Sequence, residues 1–336
     1  MRSRARPRIE SAPDFVIAGT TVAPGSIEDV EFEVARLPTR TRLTLPVRVV
    51  NGRRPGPSLW ISAAIHGDEL NGIEIARQVL DRIKPNVLRG VVLVAPIVNL
   101  HGFLAQSRYL PDGRDLNRSF PGSSRGSLAA RLAHLFMREI VARCEYGIDL
   151  HTATNHRTNL PQVRADLTDP VVRELALAFG APVALHARLR DGSLREAATT
   201  QGTRMLLFEG GEAQRFDEDV VAAGVRGVRR VLAHLGMTAN RKPSPRPCVV
   251  AWSSRWIRAP RSGLMRTSVQ VGKKVSKGDV IARITNPFGE KAVKVKAPRD
   301  GLVIGRTLNP VVHQGDAILH VTFEPTVGRV EMRGEE

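Results

Sequence analysis

A nearly unbroken apolar run, Leu59 to Ile65, ends abruptly on His66-Gly67-Asp68-Glu69. A strand reads this way when neither of its faces meets water, and a sheet covered by helices on both sides provides that setting. The next segment supplies one cover: from Glu69 to Ile83, Leu70, Ile73, Ala76, Val79, Leu80 and Ile83 recur at helical spacing until Pro85 stops the pattern. Leu43 to Val50 predicts a strand before this pair, and Gly90 to Val98 another after it. Ser127 to Cys144 then predicts an amphipathic helix with Leu128, Leu132, Leu135, Phe136 and Ile140 on one side. Strands at Tyr146 to Leu150, Val183 to Leu185 and Arg204 to Phe208 continue the series, with helices at Pro170 to Phe179 and Asp217 to Leu235. The stretches Ala153 to Asp169 and Arg188 to Thr203 read as loops. Such alternation predicts an α/β class with a mostly parallel mixed sheet flanked by helices.

The alternation stops near residue 240. Pro243-Ser244-Pro245-Arg246-Pro247 reads as a stiff extended linker, and short strands separated by Gly, Asp and Pro follow it. The expected division is an α/β unit over residues 1–242, with an N-terminal lead-in, and a β unit over 248–336. The tail contains an internal repeat: Ala259-Pro260-Arg261-Ser262-Gly263-Leu264 recurs as Ala297-Pro298-Arg299-Asp300-Gly301-Leu302, and Val275-Ser276-Lys277-Gly278-Asp279 as Val312-His313-Gln314-Gly315-Asp316. Two such copies resemble the halves of biotinyl- and lipoyl-type domains, which implies an all-β barrel-sandwich. A carrier role would place a modified lysine at Lys291, although Asn286-Pro287-Phe288-Gly289 looks like the turn itself.

Two motifs sit where open α/β sheets place their chemistry, at the carboxyl ends of strands. His66 and Glu69, separated by two residues at a strand-to-helix junction, can reach one cation, with Gly67 easing a tight turn. Asp149-Leu150-His151-Thr152 ends the next apolar-leading strand, and the period of two directs Asp149 and His151 to one side. His66, Glu69 and His151 together make a three-ligand set with an open fourth position, the pattern of a catalytic zinc. Between them, the loop Ser107 to Gly122 is rich in Arg, Asp, Asn and Gly. Its Arg118 is suited to clamp a carboxylate through two hydrogen bonds, with Asn117 adding a neutral donor.

The ordered set His66-x-x-Glu69, Arg108-Tyr109, Asp115-Leu116-Asn117-Arg118 and Asp149-Leu150-His151-Thr152 resembles the succinylglutamate desuccinylase/aspartoacylase family, itself similar to the zinc carboxypeptidases. The match covers roughly residues 40 to 240. The resemblance implies a zinc carboxypeptidase-like fold and one Zn²⁺ on His66, Glu69 and His151. It also implies Asp115 behind His66, and Arg108, Asn117 and Arg118 on the substrate. A catalytic Glu at the end of a late strand corresponds to Glu209 in Arg204-Met205-Leu206-Leu207-Phe208-Glu209-Gly210-Gly211, with Glu212 as the alternative. It would take a proton from a water whose pKa zinc lowers towards about 7, and return it to the leaving amine. A further arginine that selects substrates in the family has Arg195 and Arg204 as its candidates here.

The implied activity is removal of a short acyl group from a small N-acyl amino acid. A metallocarboxypeptidase acting on short peptides would share the site, and a binding or carrier protein using the β tail is the non-catalytic alternative. The net charge of +17 raises nucleic acid as a partner, but only 8 of the 50 basic residues are Lys, the Arg are spread along the chain, and aromatics make up 4%. Neither a nucleic-acid nor a membrane partner is expected. Six lysines between Lys273 and Lys296 read as a solvated face. Cys144 and Cys248 lie far apart with no CxxC spacing, so neither a disulfide framework nor a thiolate site is expected. No apolar signal core follows Met1, which points to the cytoplasm, and β-edges in the tail favour a homo-oligomer.

Overall fold

The computed structural model describes residues 11–36, 39–238, 247–323 and 326–328. A 14-stranded mixed sheet runs through it. Its central strands are Arg89–Ala95, Arg54–Ala63, Tyr146–Ala153 and Arg204–Glu212, neighbours in that order and mutually parallel. Arg42–Asn51 and Ser26–Arg36 extend it antiparallel on one side. On the other, Arg157–Ala165 pairs antiparallel with Arg204–Glu212 and parallel with Val183–His186.

Alternation along a strand buried on both faces explains how one run serves two cores. Leu59, Ile61 and Ala63 join the core beneath the helices Asn71–Leu80, Pro170–Phe179 and Glu218–His234. Trp60 points the other way, into a core with Phe136 of the helix Leu128–Glu139, its ring centroid 5.8 Å from that of Phe136 at a near-perpendicular angle. Gly147 on the neighbouring strand makes room for that indole, since a Cβ there would stand 2.2 Å from Trp60 Cζ2.

Three expectations need correction. The segment Ala153 to Asp169 is not a loop: it holds the strand Arg157–Ala165, whose Arg157, Asn159 and Arg164 line a polar cavity and whose Gln162 donates to the carbonyls of Leu160 and Ile304, so polar residues interrupt its apolar pattern. Arg188 to Thr203 contains the helix Leu194–Thr200, capped by the Ser193 hydroxyl. The predicted helix Ser127 to Cys144 ends at Glu139, and a short 3₁₀ turn, Val141–Arg143, follows. The N-terminal strands Phe15–Ile17, Thr20–Val22 and Ser26–Arg36 were absent from the sequence reading.

Residues Pro243 to Arg246 of the expected linker lie outside the described residues. Beyond it, Cys248–Ala251 pairs parallel with Val183–His186, and Gly301–Thr307 pairs antiparallel with Arg157–Ala165, so the main sheet continues into the tail through Ala317–Phe323 and Ser253–Arg258. A separate 4-stranded antiparallel sheet, including Gly263–Thr267 and Val280–Thr285, faces it over a core confined to residues between Ala259 and Phe323. Asn286 to Gly289 forms the turn after Val280–Thr285, closed by a Gly289 N to Asn286 O bond of 3.0 Å. Among the described residues no helix is long and apolar enough to cross a membrane.

Candidate active site

The strand Arg54–Ala63 ends at Ala63, and Ala64 takes a left-handed φ of 49° that turns the chain towards His66. Gly67 has a different purpose from the turn expected of it. Its φ is not positive, but a Cβ there would stand 1.9 Å from the Gly102 carbonyl carbon, so the motif rests directly on neighbouring backbone. Glu69 follows just ahead of the helix Asn71–Leu80. His151 comes from the adjacent parallel strand, whose register sets Ser62 beside Asp149 and Ala63 beside Leu150.

These elements bring His66, Glu69 and His151 together, all buried, with one ligand atom of each within 4.8 Å of the others. His66 Nδ1 donates to Glu69 Oε1 at 2.7 Å and His151 Nδ1 to Glu69 Oε2 at 2.9 Å. The outer ring nitrogens are also engaged: His66 Nε2 donates to Asp115 Oδ1 at 3.2 Å, and His151 Nε2 to Asp149 Oδ2 at 2.7 Å. Asp149 in turn accepts from Ser62 Oγ at 2.6 Å, and Glu69 Oε2 from Thr152 N at 3.0 Å. Asp115 also caps the short helix Leu116–Arg118 and accepts from Arg108 Nη2 at 3.0 Å, while Arg108 Nη1 lies 3.4 Å from Glu69 Oε1.

Burial opposes charge on both rings, but for His66 the Glu69 carboxylate with hydrogen bonds to Asp115 and Glu69 prevails and raises its pKa. For His151 the same opposition is overcome by Asp149 and Glu69, and its pKa stands well above the ordinary imidazole value. Glu69 is held well below the usual carboxylate range, burial being outweighed by the two imidazoles.

The donor set fits a divalent cation. Both Nδ1 atoms and the Glu69 carboxylate face one another, and a carboxylate behind each ring fixes its orientation, as in carboxylate–histidine–metal arrangements. A divalent ion held by the two Nδ1 atoms and Glu69 would take the place of any proton on those atoms, since a metal binds the deprotonated ring nitrogen.

The cluster opens into a cavity of about 340 Å³ lined also by Arg108, Asn117, Arg118, Glu209 and Trp256. Among the described residues, seven arginines (108, 118, 157, 164, 188, 190 and 195) line this cavity, and Glu69 and Glu209 are its acidic lining residues. Glu209 neighbours His151 across the parallel strands. Its Oε2 accepts from Asn159 Nδ2 at 2.6 Å, and its Oε1 lies 3.3 Å from Arg164 Nη1. Glu212 is placed elsewhere: it accepts from His156 N at 3.1 Å, pairs with Arg215 at 3.1 Å and does not line this cavity. Asn117 Oδ1 accepts from Leu194 N at 2.9 Å, which leaves its amide NH₂ as the available donor. Arg118 donates to the Asn117 carbonyl, and burial, with Arg190 and Arg108 nearby, lowers its pKa.

Of the two further arginine candidates, Arg195 is buried on the cavity wall and donates to the carbonyls of Ala187 at 2.8 Å and Arg188 at 2.5 Å. Burial, with Arg164 nearby, pushes it down to about 10. Arg204 is exposed at the far end of its strand and lies outside the cavity. Sequence reasoning missed Arg157, Asn159, Arg164 and Trp256. The polar residues Arg157, Asn159 and Arg164 interspersed with Leu160 and Val163 were the available signal for the first three; none pointed to Trp256, since only the return of the tail onto the sheet brings it here.

Known proteins share this arrangement. The model of the succinylglutamate desuccinylase/aspartoacylase catalytic domain matches residues 55–235. An N-alpha-acetyl-L-2,4-diaminobutyric acid deacetylase of Halomonas elongata is 30% identical over 288 residues, 82% of this chain and 84% of that protein. The crystal structure of a succinylglutamate desuccinylase/aspartoacylase from Rhodobacter sphaeroides superposes with a TM-score of 0.78 at 26% identity, over 88% of this chain and 95% of the other. The product-bound ectoine utilization protein EutE (DoeB) of Ruegeria pomeroyi has the same fold, with a TM-score of 0.80 at 24% identity over 88% and 94% of the two chains. The protein is therefore an enzyme of the hydrolytic deacylase class. The chain belongs to the succinylglutamate desuccinylase/aspartoacylase family.

Proposed function

We propose that the protein is a zinc-dependent amidohydrolase that removes a short acyl group from a small N-acyl amino acid. The observation that carries this reading is the convergence of His66, Glu69 and His151 beside Glu209 in one arginine-lined cavity. The H. elongata relative, a deacetylase by name, belongs to the same reaction type. A cavity of about 340 Å³ suits a small molecule rather than a polypeptide segment.

His66, Glu69 and His151 would hold one Zn²⁺. When bound, the ion supplies Lewis acidity towards the acyl oxygen and makes a water acidic near neutral pH. Asp115 and Asp149 fix the imidazoles through their outer nitrogens. Arg118 and the free amide of Asn117 receive the substrate carboxylate, and Arg108, held against Asp115 on the cavity wall, would offset charge that develops on the acyl oxygen. Glu209 takes a proton from the attacking water as the new C–O bond forms. It returns that proton to the amine nitrogen as the C–N bond breaks. Asn159 fixes one Glu209 oxygen, so its carboxylate is oriented before substrate arrives. In this reading the catalytic unit and the β unit divide between residues 242 and 248, and the β unit walls the cavity through Trp256.

The test compares hydrolysis of N-acetyl and N-succinyl amino acids with C-terminal release from dipeptides, before and after chelation. Metal-dependent release of free amino acid from the N-acyl substrates supports the proposal. Faster dipeptide cleavage would reassign the protein as a metallocarboxypeptidase, and activity indifferent to chelation and to His66→Ala would refute the metal site.

A further inference from the structure

Asn159, which donates to Glu209 Oε2 at 2.6 Å, lies where the tail joins the catalytic sheet. Its register partner there is Gly305 of the strand Gly301–Thr307. A carboxylate is met by the NH₂ end of an amide, so the carbonyl end of Asn159 turns elsewhere. It turns onto Gly305: a Cβ at position 305 would stand 2.6 Å from Asn159 Oδ1, closer than van der Waals contact permits. The same Cβ would find His320 Cβ at 3.3 Å and the Thr158 carbonyl oxygen at 3.5 Å. Of these three neighbours, one is backbone and one belongs to a packed ring, so the Asn159 amide is the group that would give way.

The tail holds Gly305 firmly in this place. The pairing of its strand with Ala317–Phe323 slips by one residue between Val303 and Gly305, and the carbonyl of the extra residue, Ile304, accepts from Gln162 Nε2 at 3.2 Å. Two residues beyond Gly305 the chain is tied down again, where His156 O accepts from Leu308 N at 2.7 Å and Thr307 Oγ1 at 3.2 Å. On its other side Gly305 has His320 as register partner, and that ring is stacked on Trp256 with centroids 4.7 Å apart and planes 6° from parallel. His320 is buried and bonded through Nε2 to Ser254 Oγ at 2.9 Å. Burial, helped by Arg164, pushes it down to about 3, so the ring remains neutral and packed.

We infer that Gly305 is a positioning residue for the hydrolysis, the point at which the tail fixes the amide of Asn159 and, through it, the carboxylate of Glu209. This rests on the deacylase reading, in which Glu209 is the base, and deepens it by giving the tail a part in the chemistry besides walling the cavity. A general base works only when its oxygen is held within hydrogen-bond reach of the proton it takes, and a displacement of about 1 Å can cost on the order of 10²-fold. A methyl group at position 305 would push Asn159 Oδ1 aside and swing Nδ2 away from Glu209, leaving that carboxylate without its 2.6 Å donor. His66, Glu69 and His151 are held by other partners, so the metal site should not change.

Steady-state kinetics on the best N-acyl amino acid test this in wild type, Gly305→Ala, Asn159→Ala and the double variant, with zinc content and circular dichroism measured on the same preparations. Each single variant should lose ~10- to 100-fold in kcat, with KM within about threefold and zinc unchanged. In the double variant the added methyl meets no amide, so kcat should match that of Asn159→Ala within about threefold. A wild-type kcat in either single variant, a loss of zinc in Gly305→Ala, or losses that multiply in the double variant would overturn the inference while leaving the deacylase reading in place. Failure of Gly305→Ala to fold moves the test to Asn159→Gln, which adds bulk from the other side of the same contact. That variant should lose kcat to the same extent, and a wild-type kcat there would equally overturn the inference. Absence of turnover by wild type on every N-acyl amino acid would overturn both.

Discussion

Replacing Glu209 by Gln removes the proposed proton acceptor while keeping the shape of the side chain. In the structure Oε2 accepts from Asn159 at 2.6 Å and Oε1 lies 3.3 Å from Arg164, and a Gln carbonyl oxygen can retain one of these contacts. The hydrogen bonds that hold His66, Glu69 and His151 run to Asp115, Asp149, Arg108 and Thr152, so metal content should not change. What disappears is general acid–base transfer, worth about 10² to 10⁴ in rate, or about 2.7–5.4 kcal/mol of barrier. The assay is kcat and KM on the best N-acyl amino acid, with zinc measured on the same preparations, and KM should stay within about threefold. Glu212→Gln is the control: its carboxylate is committed to His156 N and Arg215 outside the cavity, so kcat should hold. A kcat preserved in Glu209→Gln and lost in Glu212→Gln would refute the assignment of the base.

Arg118→Ala should raise KM by ~10- to 100-fold by deleting a charge-assisted contact to the substrate carboxylate, and an unchanged KM would remove that role. Gly147→Ala forces a methyl to within 2.2 Å of the Trp60 ring and should cost about 1–3 kcal/mol in chemical denaturation. A wild-type midpoint would show that the two strands separate freely. His320 titrates near 3 when folded and near 6.5 when unfolded, so the unfolded chain binds the extra proton between those values. Its contribution to stability is complete above about pH 6.5 and is lost as the pH falls towards 3, on the order of several kcal/mol at the limit. The stability gap between wild type and His320→Gln should therefore narrow from pH 7 to pH 4, and a gap independent of pH would contradict the buried neutral ring.

The strands around residues 59, 90, 146 and 204 were legible as apolar runs because most of their side chains are buried, and the helix Pro170–Phe179 because its buried residues recur at helical spacing. Periodicity fails where residues of an element line a polar cavity, and the strand Arg157–Ala165 disappears for that reason. The short helix Leu194–Thr200 carries Arg195 and Glu196 directly after its first residue and offers few apolar repeats to count. In the site, His66, Glu69 and His151 stood out through their position at strand ends, and the structure sets Asp115 and Asp149 behind the two rings. Glu209 and Glu212, three residues apart at the end of one strand, could be separated only by what each touches. Trp256 was beyond reach, since its place depends on a pairing with His320, far along the chain.

Metal analysis of the purified protein alongside His66→Ala and His151→Ala reaches the core of the account. It predicts about one zinc per wild-type chain, as for a single three-ligand catalytic site, with both variants folded but nearly metal-free and inactive on N-acyl amino acids. Variants that kept full zinc and full turnover would contradict it.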